Sequence, residues 1–171
     1  MPEGGRLTLV LGGARSGKSR HAEALVAACP PPWAYIATAE AHDEEMRARI
    51  AAHRARRGPQ WRTREAPLAL AEALAEVADG QPLLVDCLTL WLSNVMLAGH
   101  AVEEACRHLA DALARPRGPW VVVASEVGLG IVPENALARR FRDAAGMLNQ
   151  MVAARADSVE LMAAGLPLKV K

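Results

Sequence analysis

The run RLTLVLGGARSGKS (residues 6–19) constrains this chain more than any other stretch. An apolar segment ends in Gly12, and Gly12-x-x-x-x-Gly17-Lys18-Ser19 satisfies GxxxxGK[ST] in full. Glycine permits the positive φ angles that turn successive backbone N–H groups toward one anion. A helix opening near Gly17 adds the positive end of its dipole. In such a loop Lys18 reaches the β- and γ-phosphates of a nucleoside triphosphate, and the Ser19 hydroxyl ligates Mg²⁺. Gly12, Gly13, Ala14, Arg15, Ser16, Gly17, Lys18 and Ser19 are therefore the first candidate nucleotide-binding residues. Arg15 is either a phosphate contact or a solvated loop arginine, and His21, behind the loop, is read as structural.

The remainder of the chain repeats the strand–helix pattern. Residues 6–12, 33–39, 82–88 and 120–128 are apolar runs without polar alternation, which is the signature of strands buried on both faces. Residues 61–67 form a short extended piece. Helical patterns cover 17–29, 42–58, 68–80, 89–99, 103–115 and 134–157. CPPPW stops the first helix, since proline cannot continue one. The final SVELMAAGLPLKVK reads as strand, turn and strand, with ELMAAGLPLKV as an antiparallel hairpin at one edge. The expectation is α/β: one doubly wound domain over residues 1–171, with a mostly parallel sheet and helices on both faces.

At 171 residues the chain can bury a substantial core. Its net charge of +1 argues for neither a nucleic-acid nor an acidic-membrane partner. No stretch approaches the roughly 20 apolar residues of a membrane span. Cys29, Cys87 and Cys106 form no CxxC pair, which points to free thiols in a reducing cytoplasm rather than to zinc or a disulfide framework.

A phosphate loop needs an acid at a neighbouring strand end to organise magnesium. PLLVDC places Asp86 there, although an acid in that position can instead cap the next helix. Glu126, in VVVASEVG, sits at a similar strand end, either positioning a nucleophile or serving the backbone. A Ras-type GTPase is excluded: the one DxxG (DAAG, 143–146) falls inside a helical pattern, and NKxD is absent. GLGIVP (128–133) carries proline where a dinucleotide fingerprint needs its third glycine.

In DEEMRARIAAHRARR (43–57), Met46, Ile50 and His53 recur at i, i+4 and i+7 and share one helix face, which should look toward the protein body. Such a histidine is either a core residue or a nucleophile. The arginines around it, Arg47, Arg49, Arg54, Arg56 and Arg57, would hold a polyphosphate beside an imidazole able to attack phosphorus. Surface pairs such as Asp43–Arg47 and Glu45–Arg49 contribute only about 0.3–0.5 kcal/mol each and do not explain the run at the helix end.

GGARSGKSRHAEAL, YIATA, DEEMRARIAAHRARR, WRTREAP, LLVDCLTLWLSN and SEVGLGIVPENALARRFRDAAGMLNQ together resemble the bifunctional adenosylcobinamide kinase/adenosylcobinamide-phosphate guanylyltransferases of cobalamin biosynthesis, from about residue 6 to 171. The resemblance implies a RecA-like P-loop fold and two reactions. ATP or GTP phosphorylates the aminopropanol hydroxyl of adenosylcobinamide. A histidine then takes GMP from GTP, releasing pyrophosphate, and passes it on to give adenosylcobinamide-GDP. The guanylylated histidine falls on His53. The family can carry adjacent histidines at this point, whereas Ala52 precedes His53 here. Nucleotide contacts carry over to Gly12 through Ser19, to Ala37, Thr38 and Ala39, to Arg54, Ala55, Arg56 and Arg57, and to Glu65 and Asp86. His53, Lys18 and Asp86 are the implied catalytic residues, Ser19 and Asp86 the implied Mg²⁺ ligands, and a trimer the implied assembly. A single-function P-loop kinase and a non-catalytic nucleotide-binding module are the rival readings.

Overall fold

The fold is described from a computed structural model covering residues 5–41 and 43–171. His42, and the side chains of Arg49 and Arg56, lie outside the described residues, so the nucleotide contact expected of Arg56 does too. Seven strands form one sheet: β1 (Arg6–Gly12), β2 (Trp33–Ala37), β3 (Trp61–Glu65), β4 (Leu83–Asp86), β5 (Pro119–Ser125), β6 (Ser158–Ala163) and β7 (Leu166–Lys169). Their order is β3-β2-β4-β5-β1-β6-β7, and every neighbouring pair is parallel except β6–β7. This is the RecA-like arrangement expected, with the antiparallel hairpin at one edge. Its two-residue turn uses positive φ at Ala164 (52°) and Gly165 (81°), as a tight hairpin of right-handed twist requires.

Six helices connect the strands: α1 (Lys18–Ala27), α2 (Glu44–Arg56), α3 (Leu70–Ala75), α4 (Leu88–Leu97), α5 (Val102–Leu113) and α6 (Ala136–Arg155). Successive strand residues point to opposite faces, and the central strands β1, β4 and β5 carry buried apolar residues on both, so each of these three feeds two cores, whereas the edge strands β3 and β7 are largely exposed. Leu7, Leu9, Leu83, Val85, Trp120 and Val122 pack beneath α3, α4, α5 and α6. Val10, Leu84, Val121 and Val123 meet Ala22 and Val26 of α1 on the other face. The two faces are unequally covered. α2, on the thinner side, touches the rest of the chain sparsely, and none of its described side chains is fully buried.

One predicted helix is much shorter than its sequence pattern. Residues 68–80 read as a single helix, yet α3 stops at Ala75. The Arg117 guanidinium donates to the carbonyls of Ala75 and Val77, and Gly80 N–H donates to Arg117 O. A distant side chain thus satisfies carbonyls that a further turn of helix would have used.

Candidate active site

Parallel pairing brings the carboxyl ends of the central strands to one edge of the sheet, where open α/β folds bind ligands. The register aligns Gly12 of β1 with Ser125 of β5, and Ala37 of β2 with Asp86 of β4. Residues 12–19 wrap the end of β1. Arg15 (φ 55°) and Gly17 (φ 92°) adopt the left-handed conformation, and Gly17 caps the N-terminus of α1. A side chain at Gly12 would displace its neighbours, since a Cβ would lie 2.4 Å from Ser16 Oγ and 3.1 Å from Ser16 Cβ. Ser16 is buried, and its Oγ has no hydrogen-bond partner among the described residues. Lys18 Nζ donates to Gly13 O at 3.0 Å, so the amine lies against the loop it is expected to serve.

Asp86 closes β4, but it does not cap α4: that role falls to Cys87, whose Sγ accepts from Leu90 N at 3.4 Å. The alternative of a capping aspartate is thereby answered. Asp86 Oδ2 instead accepts from the Tyr35 hydroxyl at 3.1 Å and lies 3.9 Å from His53 Nδ1. The Asp86 side chain is 12% exposed and that of His53 37%. Burial, and then the Asp86 charge, push the Tyr35 phenol above its ordinary value, so it remains a donor. The same two causes push the Cys87 thiol up to about 12, which removes it as a nucleophile.

The helix carrying His53 is built as its sequence requires. Asp43 caps α2 by accepting from Met46 N at 2.7 Å, and Glu44 and Glu45 occupy the first turn. Met46, Ile50 and His53 are half-buried while most of their neighbours are exposed, so this face does look inward. Arg57, just past the helix, lies 3.6 Å above the Tyr35 ring, and its Nη1 is buried with no hydrogen-bond partner among the described residues. His53, Asp86, Arg57 and Tyr35 therefore form one cluster.

The other expected contacts lie around this cluster. Arg54 and Glu65 are exposed and pair with each other. Ala55 is exposed, while Ala37 and Ala39 are half-buried at the end of β2. Thr38 is fully buried, and its Oγ1 donates to Cys87 O at 2.7 Å and accepts from Cys87 N at 2.9 Å. Asn94 Nδ2 holds Thr38 O at 2.8 Å. The Thr38 hydroxyl thus clamps the turn after Asp86. Glu126 turns inward on its own loop, its Oε1 accepting from Gly128 N at 2.6 Å.

Sequence reasoning missed Tyr35. Its signal was its place in WAYIA, where Tyr35 shares a face with Ala37 two residues before the strand end.

Among the described residues no group of three or more His, Cys, Asp and Glu could hold a metal ion. One strand-end carboxylate and one hydroxyl are nevertheless the hard oxygen donors that suit an ion carried in with a triphosphate.

A family model for cobinamide kinase / cobinamide phosphate guanyltransferase matches residues 8–170. A Pseudomonas aeruginosa protein, "Bifunctional adenosylcobalamin biosynthesis protein CobP", is 49% identical over 95% of this chain and 96% of its own. A Salmonella typhimurium protein named "Bifunctional adenosylcobalamin biosynthesis protein CobU" is 41% identical over 96% of this chain and 99% of its own. Among solved structures, a Pyrococcus horikoshii protein superposes with a TM-score of 0.59 at 9% identity, over 99% of this chain and 87% of its own. A type III secretion system ATPase gives 0.53 at 13% identity, over 91% of this chain and 50% of its own. These two speak for the fold.

Proposed function

Because the chain belongs to the cobinamide kinase / cobinamide phosphate guanyltransferase family, it is a bifunctional kinase and guanylyltransferase of adenosylcobalamin biosynthesis, and we propose how its residues divide the two reactions. Gly12 through Ser19 bind the phosphates of ATP or GTP, and His53 is the nucleophile of guanylyl transfer. The observation that carries this division is the place of His53. It lies on the inward face of α2, with Nδ1 3.9 Å from Asp86, in a cluster with the guanidinium of Arg57, whose Nη1 is buried.

In the kinase reaction the aminopropanol hydroxyl of adenosylcobinamide attacks the γ-phosphorus, and the bond to the β-phosphate oxygen breaks. Lys18 and the loop N–H groups stabilise the charge that develops. A magnesium ion, when bound, supplies further neutralisation, and Ser19 and Asp86 would hold it. In the second reaction a His53 nitrogen attacks the α-phosphorus of GTP, and pyrophosphate leaves. The Asp86 carboxylate favours the Nδ1–H tautomer, which puts the lone pair on Nε2. Arg57, with Arg54 and Arg56, takes charge on the departing pyrophosphate. A phosphate oxygen of adenosylcobinamide phosphate then attacks the His53-bound phosphorus, the N–P bond breaks, and GMP passes to the acceptor.

Ala37, Thr38, Ala39, Ala55 and Glu65 complete the nucleotide site in this reading. Thr38 serves the site by holding the turn after Asp86, since its hydroxyl is engaged with Cys87, its N–H with Asp86 O and its carbonyl with Asn94. A cytoplasmic trimer belongs to the same reading; the free thiols of Cys29, Cys87 and Cys106 are compatible with a reducing compartment, and no described helix is long and apolar enough to cross a membrane.

Incubation with GTP labelled at the α-phosphate, with Mg²⁺ and no acceptor, tests the division. The expected product is an acid-labile, base-stable protein adduct that His53→Ala abolishes while kinase activity persists. Equal loss of both activities in a folded His53→Ala protein would overturn it.

A further inference from the structure

The C-terminal hairpin does more than close the sheet. It runs along the outer flank of residues 12–21 and contacts that segment repeatedly. The tip of the turn comes first: Gly165 N–H donates to Ser16 O at 2.9 Å, a backbone bond between chain positions far apart in sequence. The turn presents that N–H because Ala164 and Gly165 both take positive φ. The approach is close enough that a Cβ on Gly17 would lie 3.2 Å from Gly165 Cα. One strand residue earlier, Met162 pairs with Gly12 in the sheet register, and a Cβ on Gly12 would meet Met162 Cβ at 3.0 Å. At the base, Glu160 and His21 join at 2.5 Å, fixing the first turn of α1 to β6.

The side chains of His21 and Glu160 are only 22% and 19% exposed. One hairpin thus grips the loop where it leaves β1, at the carbonyl before Gly17, and where it enters α1.

We propose that Glu160 and the Ala164–Gly165 turn are positioning elements for the phosphate loop, fixing the orientation of its N–H groups toward a triphosphate. The inference rests on the reading of residues 12–19 as the triphosphate site. A loop of this type binds through backbone groups whose direction depends on a few φ angles, so its affinity depends on what prevents it from relaxing. Ser16 is the sensitive point. If its carbonyl is released, the peptide plane joining Ser16 to Gly17 can rotate, and that plane carries the Gly17 N–H. Held by Gly165, it cannot. Neither Glu160 nor Gly165 needs to touch the nucleotide.

Titration with a fluorescent GTP analogue at a temperature well below unfolding separates this role from a merely structural one. Three altered proteins are compared with the parent: Glu160→Ala, Glu160→Gln, and a semisynthetic chain with an ester in place of the Ala164–Gly165 amide, which deletes only the Gly165 N–H. Loss of one such hydrogen bond corresponds to about a three- to tenfold change in an equilibrium constant. The expected result is a Kd raised by about that factor in Glu160→Ala and in the ester protein. Glu160→Gln, which can still accept from His21, should return to within about twofold. The KM for nucleotide should rise in both reactions together with kcat little changed. Folded Glu160→Ala and ester proteins that bind the analogue as tightly as the parent would overturn the proposal. Lys18→Ala distinguishes its failure from that of the underlying site reading. If Lys18→Ala weakens binding and the hairpin variants do not, only the hairpin role falls; if Lys18→Ala has no effect, the phosphate-loop reading falls with it.

Discussion

Tyr35→Phe removes a single oxygen from the cluster around Asp86, and its consequences can be worked through. The hydroxyl donates to Asp86 Oδ2 at 3.1 Å, and the acceptor side chain is 12% exposed. Hydrogen bonds to charged groups contribute about 1.5–3 kcal/mol. Water regains part of the Asp86 carboxylate once the phenol is gone, so the lower end applies, about 1.5 kcal/mol. For a chain of this size that lowers Tm by roughly 3–6 °C. The ring itself stays beneath Arg57, 3.6 Å from its guanidinium carbon, so the cation–π contact survives. Tyr35→Leu loses the bond and the ring together and opens space in the core, which raises the cost to about 3–5 kcal/mol.

Urea unfolding of the two variants, each also made with Asp86→Asn, provides the measurement. Tyr35→Phe should cost about 1.5 kcal/mol alone and well under 1 kcal/mol with Asp86→Asn, because the charged acceptor is gone. A Tyr35→Phe protein within about 0.3 kcal/mol of the parent, or a penalty unchanged by Asp86→Asn, refutes the assigned bond.

Other consequences are checked more directly. Lys18→Ala should lower kcat of both reactions by about 10²–10³, read as phosphate transfer to adenosylcobinamide and as pyrophosphate release. Gly17→Ala must hold φ near 92° with its Cβ 3.2 Å from Gly165 Cα; it should weaken nucleotide binding and lower Tm, both seen by thermal shift with and without GTP. Cys29 should be the thiol that Ellman's reagent modifies in the native protein, since Cys87 and Cys106 are buried. The raised Cys87 thiol also makes stability pH-dependent. The folded protein holds the proton more tightly than the unfolded chain, so the contribution is full below the ordinary thiol value of 9.0 and is lost as pH rises toward about 12. Urea midpoints should fall across that window, and less steeply in Cys87→Ser.

Much of the fold was legible because its determinants are local. Four apolar strands and the loop at 12–19 dictate a parallel sheet, and the Ala164–Gly165 dipeptide between short apolar runs dictates a hairpin. The inward face of α2 followed from the spacing of Met46, Ile50 and His53. What escaped the sequence depends on contacts between distant positions. The early end of α3 is set by Arg117, some forty residues on, whose hydrogen bonds to the Ala75 and Val77 carbonyls no window of sequence contains. The place of Tyr35 near the end of WAYIA was its one signal, and it was too weak to use because a tyrosine in an apolar strand looks like core until Asp86 is placed beside it. The pairing of Arg54 with Glu65 likewise depends on β3 lying against β2, which composition cannot show.

The thin packing of α2 also has a thermodynamic consequence. Its described side chains include no fully buried one, and few contacts tie it to the sheet, so its detachment exposes little apolar surface. Its opening free energy therefore falls well below that of global unfolding, and its amide protons should exchange ahead of those in β1, β4 and β5. The segment bearing His53 is thus energetically separable from the domain beneath it. On the proposed reading, a triphosphate held by His53 and Arg57 would set where that segment rests without drawing on the stability of the sheet.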